Sequence, residues 1–371
     1  MQVKLVSSLT RSGTSIGQSD SVVNAVRLRM EEAGNRVLGI PIVYEDLDGG
    51  SEETGSWDAE RERANALHAV SDPDVLAYVA TLDADAAPHS IPITNQAGLL
   101  QISPCNTYPG LTRPFKPDEP DKYYPTGKRT YLRTALPDDL QGAFAAHWAK
   151  ELGAAAAIVL HDTEPFGRGV ALPFAHRCRG LGIEMGGPIG IVPKQAEYGE
   201  IAERVAASRA DLVFYGGIIQ NGAGPLWRDI RTAAPAVTMM GSDALFEEAF
   251  IADAGEHAEG TWITFGSVPP ALLERPGQAF IHRYVQRFGK EPESYAASSY
   301  DAMGVVLAAI KKVGAPDRAA VVDAAFATRD FPGLQGRFSF DANGDTDLRR
   351  GTRLTVRGGH FQPLQVLEIE G

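Results

Sequence analysis

Short apolar runs of strand length alternate with helix-spaced apolar patterns along this chain, and that alternation constrains its fold more than any other feature. Val3, Leu5 and Val6 begin a strand, and after a polar, glycine-bearing loop at 10–21, Val22, Ala25, Val26, Met30 and Ala33 recur at helical spacing. Gly34 is placed to stop that helix. Residues 40–44 read as a strand running into an acidic loop at 45–58, and 59–70 as a helix with Leu67 and Val70 inward. Residues 75–80 form a third strand, ending at Thr81-Leu82-Asp83-Ala84-Asp85. A helix with prolines at 88 and 92 then leads to the apolar run Leu99, Leu100 and Ile102. The succession β-α-β-α-β-α-β is the signature of a parallel sheet covered by helices on both faces.

Ser103 precedes Pro104, whose ring pushes it toward extended geometry, so the fourth strand ends there. Cys105, Asn106 and Thr107 follow on a loop at the strand's carboxyl end, where open α/β sheets bind ligands. Residues 108–129 break the rhythm: five prolines (109, 114, 117, 120 and 125), several charges and Tyr123-Tyr124 suit a long ordered loop or flap.

The alternation resumes after Tyr131-Leu132-Arg133. Asp138 or Asp139 is expected to cap a helix carrying Leu140, Phe144, Trp148 and Leu152 on one face. A strand at 154–160 ends at His161-Asp162, and Phe166-Gly167 opens the next helix. Strands at 189–192, 211–215 and 236–240, separated by helices at 196–208 and 225–233, imply a second parallel sheet. A strand at 261–265 and helices at 278–288 and 294–313 follow. Antiparallel structure begins at 337–340, turns at 341–344 and continues at 354–356 and 364–369.

A chain of 371 residues suffices for about two domains. Its net charge of -12, with no basic cluster, argues against a nucleic-acid partner. No apolar run approaches a membrane span, so direct membrane insertion is not expected. Residues 2–9 read as a strand rather than a signal peptide, which fits a cytoplasmic chain or the mature part of an exported one. Cys105 and Cys178 are the only cysteines, lack metal-ligand or redox spacing, and are expected to be unpaired.

Eight segments in this order and rough spacing carry a resemblance: SLTRSGTSIGQ, GLLQISPCNTYPGLT, YLRTALPDDLQG, LHDTEPFGRG, DLVFYGG, MGSDAL, HAEGTWIT and FSFDANGD. With them the chain resembles the extracellular solute-binding proteins of ABC importers, on the branched-chain amino-acid (leucine/isoleucine/valine) receptor branch. The resemblance implies the type I periplasmic-binding-protein fold: two doubly wound parallel-sheet, Rossmann-like lobes joined by a three-strand hinge, with a ligand cleft between them. One lobe would hold residues 1–134 and 264–338, the other 135–263 and 339–371. Crossings would fall near 131–137, 261–266 and 338–341, making YLRTALPDD a connector. The implied protein is extracellular or periplasmic, lipid-anchored or secreted in its precursor. It would close on a small polar ligand by hinge motion and deliver it to the membrane permease of an ABC importer, with no cofactor, no metal and no catalysis.

By the same resemblance, the ligand carboxylate would be met by the Thr107 hydroxyl and by amides around Ala84-Asp85 and Cys105-Asn106-Thr107. Asp243 would take the ammonium; read from the residues alone it is instead an N-cap for a helix at 244–252, and both roles can hold together. Phe166 and Tyr215, the latter beside Gly216, stand where aromatic rings close over the ligand. Ile16 stands where a tyrosine is common, and Tyr295 would line the far wall. The chain departs from the pattern at Ala84, where the family typically offers a serine hydroxyl and this sequence has a methyl between Asp83 and Asp85. An α-amino acid remains the expected ligand, with the restriction to leucine, isoleucine or valine loosened. Two competing readings are a ligand-sensing domain of the same fold and an α/β enzyme using His161-Asp162 and His89. The chain carries no G-x-S-x-G elbow, P-loop, G-x-G-x-x-G after the first strand, or metal-ligand cluster. His161-Asp162 is expected to order a strand-end loop.

Overall fold

Alternate side chains of the strand Val75–Ala80 enter two different apolar clusters, Ala77 and Val79 one, Tyr78 and Ala80 the other. A strand buried on both faces must lie inside a sheet covered twice. The computed structural model describes residues 2–13 and 15–369. The chain forms two units, Met1–Leu136 with Pro269–Leu348 and Pro137–Val268 with Arg349–Gly371, and so passes from one to the other three times.

Unit 1 begins with β1 (Val3–Leu9), α1 (Ile16–Glu32), β2 (Arg36–Val37), β3 (Ile40–Asp48) and the short pair β4 (Gly50–Ser51) and β5 (Ser56–Trp57). It continues through α2 (Ala59–Ser71), β6 (Val75–Ala80), α3 (Ala87–Gln96), β7 (Leu100–Ser103) and β8 (Tyr131–Arg133). Unit 2 follows with α4 (Asp138–Glu151), β9 (Ala156–His161), α5 (Pro165–Gly180), β10 (Glu184–Gly190) and α6 (Gly199–Ala207). Next come β11 (Leu212–Gly216), α7 (Ala223–Ala233), β12 (Thr238–Gly241), α8 (Glu248–Ala254) and β13 (Trp262–Phe265). The chain returns to unit 1 for α9 (Arg275–Phe288), α10 (Ala296–Val313), α11 (Arg318–Phe326), β14 (Phe331–Gly333) and β15 (Gly336–Phe338). The hairpin β16 (Arg350–Arg357) and β17 (His360–Glu368) completes unit 2.

The sheet of unit 1 has the order β2-β3-β1-β6-β7-β8 and is parallel except for the β2–β3 pair. Val26 and Met30 of α1, Met303 and Val306 of α10 and Val321 of α11 cover one face; Ala66 and Ala69 of α2 cover the other. Gly34, at φ +69, follows the end of α1 in the left-handed conformation that glycine adopts without strain. Asp58 caps α2, its side chain accepting from the Arg61 N–H at 2.9 Å. The buried face of α2 is set by Glu62, Ala66 and Ala69, which leaves Leu67 48% exposed rather than inward. Glu62 accepts from the hydroxyls of Ser8 (2.5 Å) and Tyr78 (3.0 Å), and those bonds fix which side of the helix meets the sheet.

Tyr131–Arg133, the start of the expected connector, pairs with β7 as the last strand of the sheet, and the chain leaves unit 1 after Leu136. Residues 339–348, expected in the second lobe, pack in unit 1: Phe340 joins its apolar core, and Asp345 pairs with the buried Arg133. Residues 108–129 form an ordered loop folded around Glu119, whose carboxylate accepts from Tyr108 Oη (2.7 Å) and Tyr123 Oη (2.9 Å).

The sheet of unit 2 has the order β10-β9-β11-β12-β13-β16-β17, parallel as far as β13 and antiparallel beyond. Phe214 of β11 stacks on Phe174 of α5 at 4.0 Å, while the next residue, Tyr215, meets Trp227 of α7 edge-on at 5.8 Å. Successive side chains thus reach helices on opposite faces. Helix α4 starts after Pro137, so Asp138 and Asp139 sit in its first turn, where the helix dipole favours acids, instead of at the cap. Leu140, Phe144 and Trp148 are buried, but Leu152, past the last turn, is 40% exposed.

Candidate functional site

The polar loops at the carboxyl ends of β6 and β7 are held together by side chains of their own sequence. Ser103 Oγ donates to the Thr81 carbonyl (2.9 Å) and accepts from the N–H groups of Cys105 (3.1 Å) and Asn106 (2.9 Å). Asn106 has no exposed surface: Nδ2 donates to the carbonyls of Thr81 (3.0 Å) and Leu82 (3.1 Å). Its Oδ1 accepts from Thr81 Oγ1 (3.2 Å) and Tyr131 Oη (3.0 Å). Asn106 therefore joins two loops, and the amides of Cys105 and Asn106 turn toward Ser103. The ligand contacts expected of Cys105 and Asn106 rest on the resemblance, while in the structure their amides donate to Ser103. Cys105 itself is buried, and neither it nor Cys178 is in a disulfide.

Thr107 differs from its neighbours. It is 3% exposed, and its hydroxyl has no hydrogen-bond partner among the described residues. Asp83 accepts from Thr10 Oγ1 at 2.6 Å, tying the loop after β1 to the loop after β6. Ala84 and Asp85 are buried beside it. The charge of Asp85 reaches the flap: burial first, then Glu119 and Asp85, push the phenols of Tyr108 and Tyr123 upward. Ile16, the first residue of α1, is 44% exposed. Tyr295, just before α10, is buried, and its carbonyl accepts from Ser299 Oγ at 2.7 Å.

In unit 2, Asp162 accepts from the N–H groups of Ile218 (3.0 Å) and Glu164 (3.2 Å) and from Asn221 Nδ2 (2.8 Å). Burial nevertheless pushes its carboxyl up to about 6. His161 Nδ1 accepts from the Thr163 N–H at 3.1 Å, and burial moves its ring below the ordinary histidine value. The pair orders a strand-end loop. Gly216 is a close-approach position, since a Cβ there would lie 2.5 Å from the Gly167 carbonyl and 2.8 Å from Val170. Tyr215 is fully buried against Trp227, and its hydroxyl donates to the Ile218 carbonyl at 3.4 Å. In the structure Tyr215 and Gly216 are packing elements of unit 2, and the ligand contacts expected of them rest on the resemblance. Phe166 is buried in the first turn of α5.

Asp243 opens a 3-10 turn after β12, and α8 begins only at Glu248, so Asp243 does not cap that helix. Its Oδ1 accepts from Gln141 Nε2 at 2.7 Å, and the same nitrogen reaches the Thr264 carbonyl at 3.1 Å. Gln141 Oε1 and Ser242 Oγ are buried without a hydrogen-bond partner. Buried polar atoms in this state are rare in folded proteins. The oxygens of Gln141 and Ser242 beside the Asp243 carboxylate suit a cation with several N–H donors. Sequence reasoning missed Gln141. Its signal was a polar side chain set beside Leu140 in the apolar run of α4.

Two parallel-stranded sheets with polar loops at their strand ends have the α/β fold of the type I periplasmic binding proteins. The chain belongs to the periplasmic binding protein family, whose model matches residues 2–355. It is 25% identical to an amino acid binding protein of Pseudomonas aeruginosa over 68% of this chain and 64% of that protein. The match thus spans less than two thirds of that relative's length. It is 24% identical to the Leu/Ile/Val-binding protein BraC3 of Rhizobium johnstonii, over 92% of this chain and 88% of the relative. Among solved structures, the leucine binding protein LivK of Thermotoga maritima superposes with a TM-score of 0.88 at 23% identity, covering 99% of each chain. Among the described residues no helix is long and apolar enough to cross a membrane.

Proposed function

We propose that this protein is the extracellular or periplasmic solute-binding receptor of an ABC importer and that its ligand is an α-amino acid. The observation that carries the reading is the near-buried, unpartnered hydroxyl of Thr107 at the end of a parallel strand. Such a hydroxyl donates well to a carboxylate oxygen. In unit 2, Asp243 with the orphan oxygens of Gln141 and Ser242 suits an ammonium, whose three N–H bonds need three acceptors. Burying either ligand charge without such partners would cost several kcal/mol. The names of the relatives, an amino acid binding protein and a Leu/Ile/Val-binding protein, support the same ligand class. The permease of the importer is the partner, and anchoring by lipid or release in soluble form belongs to the precursor.

Isothermal titration over a panel of L-amino acids, with Thr107→Ala as the control, tests this. One site per chain is expected, with the ligand recovered unchanged and binding weakened in the variant. Turnover of the bound compound, or equal affinity in Thr107→Ala, would sink the reading.

A further inference from the structure

At the opposite edge of unit 1, where α1 ends and β3 begins, lies a pocket of about 560 Å³. Three cations line it: Arg29 of α1, Arg36 of β2 and Lys311 of α10. The carboxylate that also lines it, Glu32, is already engaged, accepting from Arg283 Nε at 2.6 Å and from the Tyr300 hydroxyl. Arg29 is held in place, donating from Nη1 to Tyr300 Oη at 2.8 Å with its guanidinium 4.7 Å from the centre of that ring. Lys311 has no partner among the described residues. In a chain of net charge -12, the pocket keeps a local excess of positive charge.

Its remaining walls are apolar, and two features keep them open. A Cβ at Gly304 would come within 2.9 Å of the Phe331 ring and 3.1 Å of Arg29 Nε, so the glycine makes room for both. Leu38 turns the β2–β3 hairpin at φ +55 and is 37% exposed. A leucine in the left-handed region is strained where asparagine or glycine would not be, and such outliers concentrate at binding positions. The strain here presents an apolar side chain at the pocket lip.

We propose that this pocket is a second ligand site, taking a small amphipathic carboxylate. The headgroup is held by Arg29, Arg36 and Lys311, and a short apolar chain lies against Leu38 and Phe331. Guanidinium groups suit such a headgroup because their forked donors match a carboxylate's two oxygens. The site is independent of Thr107 and Asp243.

Bromohexanoate is the probe. In soaked crystals, an anomalous bromine peak is expected over Leu38 and Phe331, and titration in solution should show binding that hexanol does not reproduce. Arg36→Glu combined with Lys311→Glu should weaken that binding by at least about tenfold while leaving the probe-free melting temperature near the wild-type value. Thr107→Ala should leave it unchanged. A bromine peak elsewhere only, absence of binding in solution, or unaltered binding in the doubly reversed variant would overturn the proposal. If that variant fails to fold, Leu38→Gly, which relieves the turn and removes the apolar lip, replaces it and should also weaken the probe.

Discussion

Arg133 donates from Nε to Asp345 Oδ1 at 2.6 Å, with both side chains sealed from solvent. The arginine also reaches the Tyr108 carbonyl (2.7 Å) and Thr112 Oγ1 (2.6 Å), while Arg113 shares the other oxygen of Asp345 at 2.6 Å. One buried ion pair thus fastens the edge strand β8 of the unit 1 sheet, the start of the flap and the 341–346 loop.

Removing one partner leaves a buried charge alone. Asp345→Ala should destabilise unit 1 by about 3–5 kcal/mol, read by urea unfolding. Burial raises the Asp345 carboxyl, but Arg133 and Arg113 outweigh it, so its value lies below the ordinary one. Its contribution is therefore present above the unfolded value and lost as pH falls through the folded one. Wild-type stability should drop at acid pH more steeply than that of the variant.

Glu62 titrates with the opposite sign. Burial pushes it up to about 7, against the hydrogen bonds from Ser8, Ser90 and Tyr78. Between the unfolded value near 4.5 and about 7, the native state holds a proton that the unfolded state has released. Stability therefore falls as pH rises through that window, by about 3 kcal/mol in all. Glu62→Gln should flatten this part of the profile when melting is compared at acid and slightly alkaline pH. An unchanged slope would mean that Glu62 is ionised throughout.

Asp243→Asn keeps the shape and removes the charge beside Gln141. A charge-assisted hydrogen bond contributes about 1.5–3 kcal/mol, so amino-acid affinity should fall about ten- to a hundredfold by titration calorimetry. Melting of the ligand-free protein should change little. Intact affinity with a lowered melting temperature would make Asp243 structural.

Gly216→Ala places a methyl 2.5 Å from a backbone carbonyl of α5 that cannot swing aside. Overpacking of this kind costs about 1–3 kcal/mol. The measurement is chemical denaturation of the purified variant, and a neutral result would show that α5 can shift.

The alternation of strand and helix patterns, a local property of spacing, was enough to specify two parallel sheets and to place Thr81–Asp85 and Cys105–Thr107 at strand ends. Resemblance of the motifs specified the family. Neither could say which polar groups of those loops are spent on one another. Asn106 and Thr107 are adjacent, small and polar, and only tertiary hydrogen bonds from Thr81, Leu82 and Tyr131 separate a structural amide from a free hydroxyl. Gln141 was invisible for the same reason, because its partners Asp243 and Thr264 lie 102 and 123 residues away. Leu67 turned outward because the buried carboxyl of Glu62 found partners on β1 and β6, and a buried polar group that must keep its hydrogen bonds outranks one leucine in fixing a helix face. Periodicity records what each segment prefers alone, whereas the pairing of polar groups depends on which segments the fold brings together.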